Sequence, residues 1–489
     1  MERLSGLDAS FLYGETSTML MHVAFIAICD ASENPSGFSF RDVYDLIDVK
    51  TQEEPAFRRR LVEVPFGLHH PLWIDDPAFQ VTDHVHQYTL PENSGMDQLA
   101  LKVGRIMSRP LDRDRPLWEA WVIEGLENGR YAFVLKIHHA MVDGVSGTEL
   151  FRNLFTSHPA FQIPKIFNRS RGEKIPTSTE LIAHALRSKV KTPQRIYHLC
   201  RETFNGVTAI VKGNGSAQPV KRSRPLAAPR THFNHRLSVG RSLALIDLPL
   251  NEIKDIKNAT QTTVNDVVLA ICGGAIREYL IAKNDLPEKS LIAMVPISVR
   301  KKTKEKLTNN QVSGMWSTLA TDVENPLERL QLINDDTKDA KQEHDAVGAD
   351  LLQDWAEVNT PGAFNLAMRF YASTLVDVVN PVHNTIISNV PGPRESLFLA
   401  GSKVESIRPI GPVMEGVGLN LSLASYKDNI GITIHADSHL VGDVNEIGKQ
   451  LKPAFEYLKR LTHRPQKSIR RSTNIEPEVC PVDIVSALA

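Results

Sequence analysis

The run His138-His139-Ala140-Met141-Val142-Asp143-Gly144 follows an apolar, strand-like stretch, Tyr131–Ile137. Successive residues on a strand point to opposite faces, so at the strand's end one histidine turns into the protein while its neighbour faces a cleft. A neutral imidazole titrating near about 6.5 is suited to act as a general base at cellular pH. Asp143 lies four residues beyond His139, and Gly144 can take backbone angles that other residues avoid. This spacing lets a loop fold Asp143 beneath the imidazoles or onto an arginine. A pair of structural histidines at a strand end fits the same residues, since short motifs recur by chance.

Other clusters point to chemistry less strongly. His69-His70-Pro71 precedes Asp75-Asp76, but a proline follows directly and no glycine follows the acids, so the pair reads as structural. His435-Ala436-Asp437-Ser438-His439 offers metal-ligand types, yet a strand end gives no helical i, i+4 face to hold a metal. Gly144-Val145-Ser146-Gly147 is not a G-x-S-x-G nucleophile elbow, and Ser146 suits a helix cap better. The sequence contains no P-loop and no G-x-G-x-x-G. The favoured chemistry is therefore general-base activation of an acceptor, with no covalent enzyme intermediate.

The elements around these residues alternate between strand and helix patterns. His22–Cys29 reads as a buried strand. Ser146–Glu149 fits a capping box opening a helix through Phe151 and Leu154. In the second half, Leu243–Leu248, Leu291–Val299 and Asn384–Val390 read as strands, and Leu419–Tyr426 with Ile430–Ala436 as a hairpin. Thr263-Val264-Asn265-Asp266 has the form of a helix start, and apolar residues follow at helical spacing through Tyr279. There Asp266 serves as a cap, or Asn265 and Asp266 line a site. Asn389-Val390-Pro391-Gly392-Pro393 reads as a strand leaving the core into a rigid turn. Two α/β layers of similar build result.

The chain has 489 residues, enough for two or three domains. A formal net charge of -1 makes a dedicated nucleic-acid binder improbable. Charge is unevenly spread: residues 165–241 hold sixteen Lys/Arg and three Asp/Glu, or +13, leaving -14 for the rest. The predicted division is 1–164, carrying the histidines; 165–231, a basic helix (about Thr179–Val211) and linker; 232–462, a second globular half; and 463–489, a poorly ordered tail. The basic segment reads as a solvated helix, or as a surface attracting anionic lipid headgroups or other phosphates, at about 1 kcal/mol per Lys/Arg near a membrane. Four cysteines without a C-x-x-C pair exclude a disulfide scaffold and point to a reducing, cytoplasmic setting. No signal peptide and no spanning segment of ~20 apolar residues is expected, so membrane contact would be peripheral.

HHAMVDG at 138–144 is similar to the HHxxxDG signature of the CoA-dependent acyltransferase superfamily, which includes chloramphenicol acetyltransferase, carnitine acyltransferases and peptide-synthetase condensation domains. The accompanying motifs are more specific. LSGLDASFLYGET at 4–16, MHV at 21–23, PLW at 116–118, FNHRLSVGR at 233–241, ND at 265–266, VPISVR at 295–300, SNVPGP at 388–393 and LNLSLASY at 419–426 resemble bacterial wax ester synthase/diacylglycerol acyltransferases. They run in family order over roughly residues 1–460. The resemblance implies an α/β fold of two chloramphenicol-acetyltransferase-like domains with a tunnel at their interface.

It also implies that His139 is the general base, that His138 supports it, and that Asp143 holds the loop through an arginine, for which Arg300 is the candidate, with Gly144 giving the close turn. Asn265, Asp266 and Asn389 would lie at the tunnel wall, and the strand bearing Asn389 would cross between the domains. PLW is expected to pack. The substrates implied are a fatty acyl-CoA and a diacylglycerol or long-chain alcohol, with no cofactor, at a membrane or lipid-droplet surface. Two other functions fit the same fold: a catalytically silent acyl-binding protein, and an acyltransferase with a carrier-bound or polyketide acceptor. Release of free CoA thiol separates enzyme from binder, and acceptor identity separates the two enzymes.

Overall fold

The computed structural model describes residues 2–34, 37–141, 151–159, 169–188, 227–298, 312–347, 366 and 368–462. The N-terminal half contributes strands β1 (Glu2–Arg3), β2 (His22–Asp30), β3 (Arg59–Val62), β4 (Leu72–Asp75), β5 (Val85–Ser94), β6 (Trp118–Leu126) and β7 (Arg130–His138). Its helices are α1 (Gly6–Gly14), α2 (Phe40–Glu53), α3 (Met96–Met107) and α4 (Ser178–Ser188). The C-terminal half adds β8 (Arg241–Pro249), β9 (Ile292–Ser298), β10 (Val312–Thr318), β11 (Thr385–Val390), β12 (Phe398–Leu399), β13 (Ser402–Ile410), β14 (Leu419–Tyr426) and β15 (Asn429–Asp437). Its helices are α5 (Leu250–Thr260), α6 (Val264–Ala282), α7 (Pro326–Val347) and α8 (Asn445–Thr462).

Two six-stranded sheets form the body, ordered β12-β13-β2-β7-β6-β5 and β10-β9-β11-β14-β15-β8, beside a small sheet β1-β4-β3. β2 and β7 are covered on both faces and so read as near-continuous apolar runs. Ala24, Ile26 and Ile28 with Ala132 and Val134 pack on Leu99, Val103 and Ile106 of α3. The alternate residues, Phe25, Ala27, Phe133 and Leu135, pack toward Val43, Leu46 and Ile47 of α2. The pleat's two-residue period makes this division.

The predicted boundary 232–462 is interrupted. The strand expected to cross between the halves, β11, stays in the second sheet between β9 and β14. The crossing is made by β12 and β13, which join the first sheet with β13 antiparallel to β2. Leu399, Val404 and Ile407 enter the first half's core, and the pairing closes an edge of β2 that would otherwise expose unpaired amides.

The halves approach closely. A Cβ on Gly104 of α3 would lie 2.8 Å from the Arg241 carbonyl, and one on Gly431 of β15 would lie 2.5 Å from the Ile407 carbonyl. Only glycine permits either approach. Buried Arg241 binds Asp437 at 3.3 Å and also donates to the Thr18 carbonyl of the first half. The Ser146 helix start, residues 189–211 of the basic helix, most of the linker and the tail 463–489 lie outside the described residues.

Candidate active site

The site is built at the end of β7. Its register sets His138 directly opposite His22 of β2, so the two side chains are cross-strand neighbours. Their rings meet edge to face, with centroids 5.7 Å apart. His138 is buried, while His139, first residue of the turn 139–141, is partly exposed. The chain therefore turns one histidine inward and the next outward, as expected from the strand's alternation.

Two of the turn's backbone amides are held. His139 N–H donates to the Met21 carbonyl at 2.8 Å. Ala140 N–H donates to His138 Nδ1 at 3.0 Å. In front, the Phe11 ring of α1 stacks on the His139 ring at 4.1 Å. Helix α1 is fixed at its start by Ser5, whose hydroxyl accepts from Asp8 N–H at 3.1 Å. It ends at Gly14, and Glu15 leaves in extended conformation. The next turn is tied by Thr16, whose hydroxyl accepts from Met19 N–H at 2.9 Å, which returns the chain into β2.

Glu15 thereby sits behind the histidines. Its carboxylate lies 3.4 Å from His22 Nε2, 3.6 Å from His138 Nε2 and 2.6 Å from Arg113. Burial alone would raise its pKa; contacts with His138, His22 and Arg113 outweigh this and hold it well below the usual carboxylate range. Burial pushes the His22 imidazole down to about 3 and lowers His138 as well. Lys136, two residues before His138 on the same face, donates to the carbonyls of Ile106 at 3.0 Å and Arg109 at 2.6 Å. Burial brings its pKa down to about 8. Glu15, His22, Arg113 and Lys136 escaped the sequence analysis as site residues. The available signal was His22, a histidine interrupting an apolar strand.

Asp143, Gly144 and Arg300 lie outside the described residues. Asn265 and Asp266 open α6, and Asp266 is a capping residue. Its carboxylate accepts from Thr263 N–H at 2.9 Å, Thr263 Oγ1 at 2.8 Å, Asn334 Nδ2 at 2.7 Å and Thr337 Oγ1 at 2.8 Å. Burial would raise its pKa, but these bonds prevail and lower it. Asp266 thus clamps α7 to α6, and the tunnel-wall alternative gains no support at this residue. Asn265 and Asn389 are half-buried, on α6 and β11 of the second sheet. Trp118 of PLW is buried, and its indole donates to the Phe57 carbonyl at 2.7 Å, so it packs as expected. His70 pairs with the Tyr13 hydroxyl at 2.9 Å and His69 with Arg3 at 3.1 Å. His435 is buried and donates through Nδ1 to the Gly411 carbonyl at 2.7 Å. Among the described residues, no three His, Cys, Asp or Glu side chains group as metal ligands.

Residues 4–268 match the family pattern of the wax ester synthase/diacylglycerol acyltransferase catalytic domain, and 308–459 match that of the WS/DGAT C-terminal domain. The chain belongs to this family. It is an acyltransferase. A relative from Mycobacterium tuberculosis (strain ATCC 25618 / H37Rv), named as a diacylglycerol O-acyltransferase, is 34% identical over 446 residues, covering 91% of this chain and 87% of the relative. A second from the same strain, so named, is 31% identical over 460 residues, covering 94% and 96%. The solved wax ester synthase/diacylglycerol acyltransferase from Marinobacter aquaeolei VT8 superposes with a TM-score of 0.68 at 26% identity, covering 94% of this chain and 99% of that one. The first condensation domain of the calcium-dependent antibiotic synthetase shares the fold, with a TM-score of 0.54 at 12% identity over 94% of this chain and 96% of that one.

Proposed function

We propose that the enzyme moves a long-chain fatty acyl group from acyl-CoA to the free hydroxyl of diacylglycerol, giving triacylglycerol, with long-chain alcohols as a second acceptor class giving wax esters. His139 acts as general base. Its imidazole takes the hydroxyl proton as the acceptor oxygen bonds to the thioester carbonyl carbon. The tetrahedral adduct then collapses, the C–S bond breaks, and the CoA sulfur leaves as thiol with the proton from the imidazolium. No acyl-enzyme forms, no cofactor is required, and acyl-CoA is a substrate. Base catalysis of this kind supplies ~10²–10⁴-fold, and positioning and carbonyl polarisation supply the rest.

The observation that carries this reading is the held turn: His139 alone of the pair is turned out of the sheet, with both flanking amides bonded and its ring stacked on Phe11. His138 supports it from inside. Asp143, Gly144 and Arg300 are proposed to hold the loop beyond, and Asn265 and Asn389 to line a substrate tunnel between the halves.

The enzyme works as a peripheral protein at a cytoplasmic lipid surface. No described helix is long and apolar enough to cross a membrane. Leu366, Phe370 and Val378 are exposed at 71%, 55% and 77%, which suits shallow contact with lipid. The test is thiol release from palmitoyl-CoA with diacylglycerol or hexadecanol, in wild type and His139→Ala. Acceptor-dependent release abolished by His139→Ala is expected. Saturable acyl-CoA binding without release on either acceptor would overturn the reading in favour of a lipid-binding role or another acceptor.

A further inference from the structure

Behind the His139 turn lies a buried polar cluster centred on Glu15. The side chains of His22 and His138 are 1% exposed and that of Glu15 is 10% exposed. His138 Nδ1 accepts the Ala140 N–H, and an accepting ring nitrogen carries no proton. Neutral His138 therefore holds its proton on Nε2, the atom that faces the Glu15 carboxylate at 3.6 Å. A carboxylate only accepts, so it favours that tautomer over the one protonated on Nδ1. The other tautomer would set two N–H groups against each other at Ala140 and release the turn.

We propose that Glu15 is a positioning residue, whose Arg113-locked carboxylate selects the Nε2–H form of His138 and so holds the 139–141 turn that presents His139. The inference rests on the reading of His139 as base. Arg113 serves both sides of the site. It binds Glu15 at 2.6 Å and the Leu12 carbonyl at 3.0 Å, fixing the helix whose Phe11 stacks on His139.

The charged and titratable groups around Glu15 come from each neighbouring element: His22 from β2, His138 and Lys136 from β7, and Arg113 from the loop after α3. Glu119 lies 3.9 Å from Lys136, and Glu63 lies 3.8 Å from Arg113 on its outer side. With the lysine and arginine thus answered, Glu15 is the carboxylate that both histidines face. Glu15→Gln keeps the shape but turns an obligate acceptor into a group that also donates. Its amide can donate to His138 Nε2 and favour the wrong tautomer.

The experiment measures kcat and KM for palmitoyl-CoA at saturating acceptor in wild type, Glu15→Gln, the charge-neutral pair Glu15→Gln with Arg113→Met, and His139→Ala. Glu15→Gln is expected to lower kcat at least ten-fold while KM stays within two-fold, and the paired variant is expected not to recover. Recovery of the pair to within two-fold of wild type would mean that only charge balance matters and would overturn the proposal, as would a normal kcat in Glu15→Gln. If His139→Ala keeps wild-type turnover, the base assignment itself falls. If His139→Ala is inactive and Glu15→Gln is normal, only the role of Glu15 falls. A second measurement needs no variant: ¹⁵N NMR of the imidazoles in the wild-type protein. An unprotonated Nδ1 and protonated Nε2 on His138 are expected, and the reverse pattern would overturn the proposal even if Glu15→Gln failed to fold.

Discussion

Two buried carboxylates, one in each half, have been given opposite surroundings. Asp266 is ringed by donors that do not titrate: an amide N–H, two hydroxyls and a side-chain amide, all within 2.9 Å. Glu15 meets two imidazoles at 3.4 Å and 3.6 Å and a half-exposed guanidinium at 2.6 Å. Fixed neutral donors give a carboxylate one bonding pattern at any pH above its own titration, which suits a clamp between helices. Imidazoles change their pattern with one proton, which suits a group that sets the orientation of a neighbour. Asp266 is fully buried and Glu15 nearly so; it is the partners, more than the depth, that set the two carboxylates apart.

The largest expected effect is on the site side of this contrast. His139→Ala should lower turnover by ~10²-fold or more while thermal unfolding stays near wild type, as read from initial rates and a melt. On the scaffold side the effect should reverse. Asp266→Ala leaves several buried donors without their acceptor, at a cost of about 1–3 kcal/mol, read as a lowered denaturant midpoint. The folded fraction should keep kcat within three-fold. A collapse of kcat with unchanged stability would place Asp266 in the site and erase the contrast.

A third expectation concerns pH. His22 is held at about 3 in the folded protein, against about 6.5 in an unfolded chain, so unfolding takes up a proton between these values. Its neutral form is fully accommodated above about 6.5, and stability falls as pH drops through that window. His22→Leu should flatten the stability–pH slope by up to ~1.4 kcal/mol per pH unit between about pH 4 and 6. Asp266, whose pKa is lowered, acts over a more acidic range: its contribution is complete above about 4 and is lost as pH falls through its folded value. Urea unfolding at pH 7 and pH 5 compares the two. The smallest effect is expected at the other histidine pair. His69→Ala should change kcat less than two-fold, because the bonds of His69 run to Arg3 and to the His70 N–H, and His70 pairs with Tyr13.

Much of this organisation was legible in the residue order. The inward and outward turn of His138 and His139 follows from the alternation of a strand, a rule with a period of two residues. The start of α6 follows from Thr263 and Asp266, which satisfy each other's backbone within one turn. The hairpin of β14 and β15 follows from two apolar runs around Lys427-Asp428-Asn429. Each is a local matter, settled by residues a few positions apart. Tertiary structure alone decided the rest. Glu15 stands seven positions from His22 and 123 from His138, and the three meet because a turn at Thr16–Met19 and the β2–β7 register superpose them. β12 and β13 join the first sheet because β2 needed a partner along its edge, and amides on an open edge are satisfied by whichever strand the chain can bring to them. How far each carboxylate's titration is shifted was likewise decided by folding, since it is set by what surrounds the side chain, and those neighbours come from distant parts of the chain.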